Sequence, residues 1–193
     1  MNRVLIALAM TGLIAAACGG AGTGAATTAP VAVATTAAPT TPAPTPTVQN
    51  QYVFTADLSP ANVVPPITDA EASGSGTATV TIFTAKDTTG KIIGSNAKLE
   101  VTLKGFPATT IIVGLLAHTG AVGVNGGGVI NSGITADAPV MLTAGAASIT
   151  KDNLTITPDN AIALIANPAA FYVLAHSQVH ASGVARGQLK LKT

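Results

Sequence analysis

The chain has 193 residues, of which 9% are charged and 3% aromatic, with a formal net charge of +1 and a single cysteine. A nearly neutral chain without a basic cluster lacks the electrostatic footprint of nucleic-acid-binding proteins, so we expect no nucleic-acid partner. One cysteine excludes an internal disulfide framework, and the many small and β-branched residues favour short strands and turns over helices.

The first 17 residues have the organisation of a secretory signal helix. A short positive segment, Met1-Asn2-Arg3, precedes an uncharged and mostly apolar run from Val4 to Ala17. That run is shorter than the ~20 residues needed to span a membrane. Ala15-Ala16-Ala17-Cys18 resembles the lipobox of bacterial lipoproteins, with Ala15 where Leu is usual. The resemblance implies cleavage before Cys18 and lipid attachment to Cys18. An ordinary cleaved signal with an incidental cysteine is the alternative.

A low-complexity segment follows the cysteine. Residues 19–50 are almost entirely Gly, Ala, Thr, Pro and Val, with no charged or aromatic residue and no hydrophobic period. This composition predicts a disordered linker whose Pro-Thr half is extended at ~3.1 Å per residue. The predicted organisation is a signal peptide over residues 1–17, a lipidated cysteine with its linker over residues 18–50, and one folded domain over residues 51–193.

The first half of the folded domain has the pattern of β-strands. We predict strands over residues 52–58, 76–84, 98–104 and 110–117, with a turn at Asp87–Gly90. The second and third strands alternate apolar and polar residues, and the last is apolar throughout, which predicts burial on both of its faces. The alternation directs six side chains inward: Ala78, Val80, Ile82, Leu99, Val101 and Leu103.

The second half adds short strands, one helix and a Gly-rich loop. Residues 120–128 are rich in Gly, but neither a Lys-Ser/Thr pair nor a helix follows, so we predict a loop without a phosphate site. Thr157 and Pro158 start a helix that should turn Ile162 and Ile165 inward and end before Pro168. The predicted strands cover residues 129–130, 140–143, 147–149, 171–176 and 187–191. This arrangement predicts an all-β, antiparallel Greek-key sandwich of immunoglobulin-like or superoxide-dismutase-like type with one short helix.

Several blocks of this domain resemble the CHRD (chordin-type) domain, in the same order and over about Tyr52 to Leu191. They cover residues 58–66, 103–108, 118–126, 171–177 and 183–189. The resemblance implies an extracellular or surface β-sandwich similar to that of copper-zinc superoxide dismutase, and it implies no settled activity. Three polar positions of the family pattern are lost: Val63 and Val184 stand where Glu is usual, and Leu116 replaces the first His of a His-Ile-His triplet. The retained polar positions are His118, His176 and Arg186.

The histidines are the candidate metal ligands, because imidazole binds zinc and copper. We consider a site at His118 and His176, with His180 as a third donor, since a zinc site needs three or four ligands. His176 and His180 would be ~13 Å apart on an extended strand, so they share an ion only if the chain folds back after Gln178. The alternative is that His118 and His176 are hydrogen-bonded anchors of loops.

No constellation of catalytic residues is evident. Arg186 is expected to bridge a strand end to a carboxylate or to loop carbonyls. Four carboxylates without the spacing of an acid–base pair are expected at the solvated surface: Asp57, Asp69, Glu71 and Asp137.

The sequence therefore predicts a lipoprotein of the cell envelope that faces the periplasm or the exterior. Its domain would act as a non-enzymatic binding or structural module for an unidentified protein or envelope partner, without a cofactor. The alternative is a copper- or zinc-binding redox protein on the same sandwich. The two predictions differ in whether His118, His176 and a third donor converge.

Overall fold

The computed structural model describes residues 48–192. Cys18, the signal segment and the linker up to residue 47 lie outside the described residues, so the predictions made for them stay predictions. The described part contains ten strands and one α-helix. In chain order they are β1 (Val48–Leu58), β2 (Ser75–Lys86), β3 (Ile92–Lys104), β4 (Ile111–Thr119), β5 (Gly128–Asn131), β6 (Val140–Met141), β7 (Ala147–Thr155), α1 (Pro158–Ala166), β8 (Phe171–Ser177), β9 (Ala185–Gln188) and β10 (Lys190–Leu191).

The strands form two antiparallel sheets. The first sheet has the order β10-β1-β2-β3-β7, and the second has the order β5-β4-β8-β9 with β6 on β4. The chain passes between the sheets after β3, between β6 and β7, between β7 and β8, and between β9 and β10, as connections do in Greek-key sandwiches. The predicted all-β sandwich with one short helix is therefore confirmed.

The core lies between the two sheets and follows the predicted alternation. All six side chains expected to point inward from β2 and β3 are buried. Ile112, Leu115 and Ala117 of β4 and Val173 and Ala175 of β8 face them from the second sheet, each with no exposed surface. Burial of this apolar surface is the main stabilising contribution in a domain without disulfides.

The first strand begins earlier than predicted. β1 starts at Val48, so its first three residues fall in the stretch assigned to the linker. The reason is the length of β2, which continues to Lys86 and offers partners for the extension: Val48 pairs with Lys86, and Asn50 with Thr84.

The buried face of α1 was predicted only in part. Thr157 caps the helix by accepting the Asn160 N–H, as expected, and the helix ends before Pro168. Ile165 is half-buried and packs against the core as expected, but the fully buried residues are Ala161 and Leu164, and Ile162 is 44% exposed. Residues 161–165 are all apolar, so periodicity alone does not select the buried face of this helix.

The last predicted strand is two strands in different sheets. β9 belongs to the second sheet and β10 to the first, and Leu189 lies between them with 2% exposure. The Leu189 N–H donates to the Phe171 carbonyl, which fixes the crossing point. Within residues 48–192, no helix is long and apolar enough to cross a membrane.

Candidate functional site

The outer face of the second sheet carries most of the polar residues singled out in the sequence. Gly114 of β4 pairs with His176 of β8, Leu116 with Leu174, and His118 with Tyr172. Because side chains alternate along strands, these positions all point away from the core. Arg186 and Gln188 of β9 pair with Leu174 and Tyr172 and therefore lie on the same face.

Two loops cover this outer face. Val63 packs on Tyr172 and Leu174 in a second small apolar cluster, and Ile67 adds to it. Both residues belong to the proline loop, which we define as residues 59–69. The Gly-rich loop, residues 120–128, covers the neighbouring part. β4 was predicted to be buried on both faces, and its outer side is half-buried. The two loops are the reason that this side is not fully exposed.

Three side chains form a stack under the Gly-rich loop. The ring of His118 is parallel to the ring of Tyr172, with centroids 5.1 Å apart and an interplanar angle of 7°. The guanidinium carbon of Arg186 lies 3.6 Å from the Tyr172 centroid. A desolvated cation–π contact of this kind contributes about 2 kcal/mol. The stack gives Arg186 a partner although it is 2% exposed.

Arg186 holds the Gly-rich loop through main-chain acceptors. Its guanidinium donates to the carbonyls of Ala121 and Val124, both at 2.8 Å, and to the Asn125 side chain at 3.1 Å. Of the two roles expected for Arg186, the contact with loop carbonyls is the one observed. Burial lowers the pKa of Arg186. Because the ordinary pKa of a guanidinium is very high, the side chain nevertheless stays charged. The loop is thus fixed by a buried charge.

His118 and His176 come together on this face. Their ring centroids are 5.9 Å apart, although they lie on different strands. Nδ1 of His118 donates to the Gly126 carbonyl at 3.1 Å, and Nδ1 of His176 donates to the Ala181 carbonyl at 2.9 Å. Nε2 of each ring is buried without a hydrogen-bond partner. Burial lowers the pKa of both histidines, which favours neutral imidazoles with a free lone pair on Nε2.

His180 does not join this pair. The chain does fold back after Gln178, since the Ser177 and Gly183 N–H groups both donate to the His180 carbonyl. The His180 ring nevertheless turns to the proline loop, where Nε2 lies 2.9 Å from the Asp69 carboxylate. Within residues 48–192, no group of three or more His, Cys, Asp or Glu side chains is placed to hold a metal ion. Two of the three histidines proposed as ligands are therefore brought together.

Glu71 was expected at the surface, and this prediction is wrong. Glu71 is 5% exposed and accepts a 2.6 Å hydrogen bond from the hydroxyl of Ser177, which is fully buried. The Ser177 oxygen also accepts the His180 N–H at 2.9 Å. This network ties the proline-loop side of the domain to the turn at residues 178–183. Ser177 is not placed as a nucleophile, because its hydroxyl is buried and contacts His180 only through the main chain.

A cleft opens beside this network. It has a volume of about 520 Å³ and lies between the proline loop and the turn at residues 178–183. Its wall combines apolar side chains of both segments with four polar ones, those of Thr68, Asp69, His180 and Ser182. A second cavity of about 300 Å³ lies across the proline loop, is bordered by Val122 and Arg186, and shares Val63, Val64 and Pro66 with the first. The hydrogen bond from His180 lowers the pKa of Asp69, so the cleft keeps a carboxylate at its edge.

Tyr172, Glu71 and Ser177 were not identified as site residues from the sequence. The alternation within residues 171–177 places Tyr172 on the same face as His176, and this was the available signal. No such signal exists for Glu71 and Ser177, which lie 106 residues apart and meet only through the fold.

Comparison with known proteins gives one match. The family model described as CHRD domain matches residues 54–189, which include all strands from β2 to β9. No curated protein sequence and no solved structure is significantly similar to the chain.

Proposed function

Because the chain belongs to the CHRD domain family, we propose that its β-sandwich is a binding module which a lipid on Cys18 holds at the surface of a membrane. The family and the fold fit a binding or structural module. The proposal adds three points to that description: a place of attachment, a binding surface and a role without catalysis.

The binding surface is the cleft between the proline loop and the turn at residues 178–183. Its volume of about 520 Å³ is in the range of ligand sites. Both walls are fixed: Ser177 and Glu71 are joined by a buried hydrogen bond, and His180 is bonded to Asp69. Val179 stands 70% exposed at the edge of the cleft. A preformed cleft with both apolar side chains and a carboxylate suits a polypeptide segment that offers an apolar side chain and a donor.

The observation that carries the proposal is this cleft, whose two walls are joined by the hydrogen bond between His180 and Asp69, beside the exposed side chain of Val179. Binding sites are commonly clefts lined by apolar side chains with a few placed polar groups. We propose that the partner is another protein of the cell envelope, which a linker of the predicted kind would allow the domain to reach.

A photo-crosslinking amino acid at Val179 tests the cleft in intact cells. We expect a discrete crosslinked product from position 179 and none from Ile93, which is 54% exposed and lies at the start of β3. An excess of the unlabelled chain should compete the product away. Equal crosslinking from both positions, or a product that does not compete, contradicts the cleft as binding surface.

The tether is tested separately. Supporting it are the apolar run of residues 4–17, the small residues before Cys18 and the uncharged linker. We expect the wild-type chain to incorporate labelled palmitate and to remain with membranes after a carbonate wash, and Cys18→Ser to do neither. A Cys18→Ser variant that stays in the washed membrane fraction contradicts the lipid anchor.

A further inference from the structure

The two histidine rings on the outer face extend toward each other along the strands. Their backbone positions differ by four residues in register, because His118 pairs with Tyr172 whereas His176 pairs with Gly114. Four residues of strand separate the backbones by ~13 Å, yet the ring centroids are 5.9 Å apart. Each ring must therefore lean over the intervening Leu116–Leu174 pair toward the other ring.

The surroundings fix the chemical form of both rings. Each Nδ1 carries its proton toward a backbone carbonyl, of Gly126 for His118 and of Ala181 for His176. This is the support that metal-binding histidines usually have, since it sets the tautomer and presents Nε2 to the ion. Buried polar atoms without partners are rare in folded proteins, and two of them on adjacent rings call for a shared partner.

The spacing fits one ion between the rings. An ion bound to an imidazole lies about 3.2 Å from the ring centroid, given a metal–nitrogen bond of about 2.0 Å and a ring radius of about 1.2 Å. Two rings that share an ion thus have centroids about 5.2 Å apart at a tetrahedral bond angle and about 6.4 Å apart in a linear arrangement. The observed separation of 5.9 Å lies inside this interval.

We propose that Nε2 of His118 and Nε2 of His176 together bind one monovalent copper ion. Two neutral nitrogen donors suit a cation of low charge and low coordination number, whereas a zinc site takes three or four ligands. Within the described part of the chain, no carboxylate completes a group of three donors around the pair. The Arg186 charge also acts on His118 across the stack, and it opposes a divalent ion more strongly than a monovalent one.

Leu116 is the position where a third donor would stand. It lies on the outer face between the levels of His118 and His176, directly beside Leu174. Its apolar side chain keeps water and further donors away from the space between the rings. A histidine at this position would extend into the same space, and three imidazoles form a common site for a divalent ion.

The test uses the full chain without an affinity tag, titrated under anaerobic conditions into the coloured bicinchoninate complex of Cu(I). We expect transfer of one Cu(I) per chain to the wild type and to His180→Gln, the matched control on a third histidine. His118→Gln and His176→Gln should each bind Cu(I) at least about 100-fold more weakly. Removing a metal ligand costs more affinity than removing a residue that only orients a ligand. No transfer to the wild type, or equal weakening by His180→Gln, overturns the proposal.

Two further measurements keep the proposal testable if a variant does not fold. In the wild type, addition of Cu(I) should shift the NMR signals of Nε2 in His118 and His176 and leave those of His180 unchanged; shifts at His180 alone overturn the site. Leu116→His should bind Zn(II) at least about tenfold more tightly than the wild type, and no gain contradicts the convergence of the rings. Neither histidine lines the cleft between the proline loop and the 178–183 turn, so failure here leaves the binding-module proposal standing.

Discussion

The two faces of the second sheet are stabilised in different ways. The inner face is apolar and closed by the first sheet, and its residues Leu115 and Val173 have no exposed surface. The outer face is half-buried under two loops and holds an aromatic ring, a guanidinium and two imidazoles. Hydrophobic burial is not directional, so an apolar side chain only has to lie on the inner face of the sheet. Each polar group on the outer face, in contrast, needs a particular hydrogen-bond or charge partner. The inner face therefore stabilises the fold, and the outer face positions loops and leaves two nitrogen atoms free.

The largest expected effect separates two neighbouring leucines of β4. Leu115 is fully buried in the core, whereas Leu116 is half-buried on the outer face. We expect Leu115→Ala to lower the free energy of unfolding by about 2–5 kcal/mol, because it leaves a cavity between the sheets. Leu116→Ala, the matched control, should cost about 1 kcal/mol. Urea unfolding followed by circular dichroism measures both, and equal losses would contradict the difference between the faces.

The inner face could be predicted from the sequence, because it depends on a period of two. Ala78, Val80 and Ile82 alternate with threonines, so only one assignment of faces buries them together. In α1 the same kind of argument was right for Ile165 and wrong for Ile162, since the six consecutive apolar residues 161–166 leave the buried face open. Local pattern thus predicts a face only where polar residues mark the other one.

The outer face could be predicted only in part. The sequence indicated His118, His176 and Arg186, but their arrangement depends on the register between β4 and β8 and on loops that fold back over them. The burial of Glu71 depends on Ser177, far along the chain, and no local pattern reports such a pair. Long-range polar contacts follow from the completed fold, which is why His180 was considered as a third donor beside His118 and His176 but lies instead at Asp69.

A smaller loss is expected at Arg186, where the outer face depends on a buried charge. Arg186→Met keeps much of the side-chain volume but leaves the carbonyls of Ala121 and Val124 without their donor. We expect unfolding to become easier by about 2–4 kcal/mol, and Arg186→Lys to recover less than half of this, since an ammonium cannot make the same forked contacts.

The matched control for Arg186 is Lys190→Met. Lys190 is an exposed cation in β10, four residues after Arg186 in the chain, and its pair with Asp57 at 2.7 Å is exposed to solvent. Lys190→Met should change the free energy of unfolding by no more than about 0.5 kcal/mol. Limited proteolysis should cut the Gly-rich loop faster in Arg186→Met than in the wild type. Unchanged cleavage of that loop would show that other contacts hold it.

Ser177→Ala should have an effect of intermediate size at the boundary between the two faces. The substitution removes the donor to the buried Glu71 carboxylate and the acceptor of the His180 N–H. The expected cost is about 1–3 kcal/mol, because buried groups lose their partners and no cavity of importance is made. Ser182→Ala, at an exposed serine in the same turn, is the control and should be neutral. If both variants unfold alike, the buried network does not hold the turn.

The smallest effect concerns the exposed contact between Asp69 and His180, and it depends on pH. The hydrogen bond from His180 lowers the pKa of Asp69 below its ordinary value of 3.8. A carboxyl with a lowered pKa in the folded state adds stability above pH 3.8, and this stability is lost as the pH falls through the folded pKa. Asp69→Asn keeps an oxygen that can accept the Glu71 N–H and removes the charge. The difference in urea midpoint between wild type and variant should therefore be present at pH 6 and shrink as the pH falls below 3.8, whereas a difference that does not change with pH would assign the effect to the cap rather than to the charge.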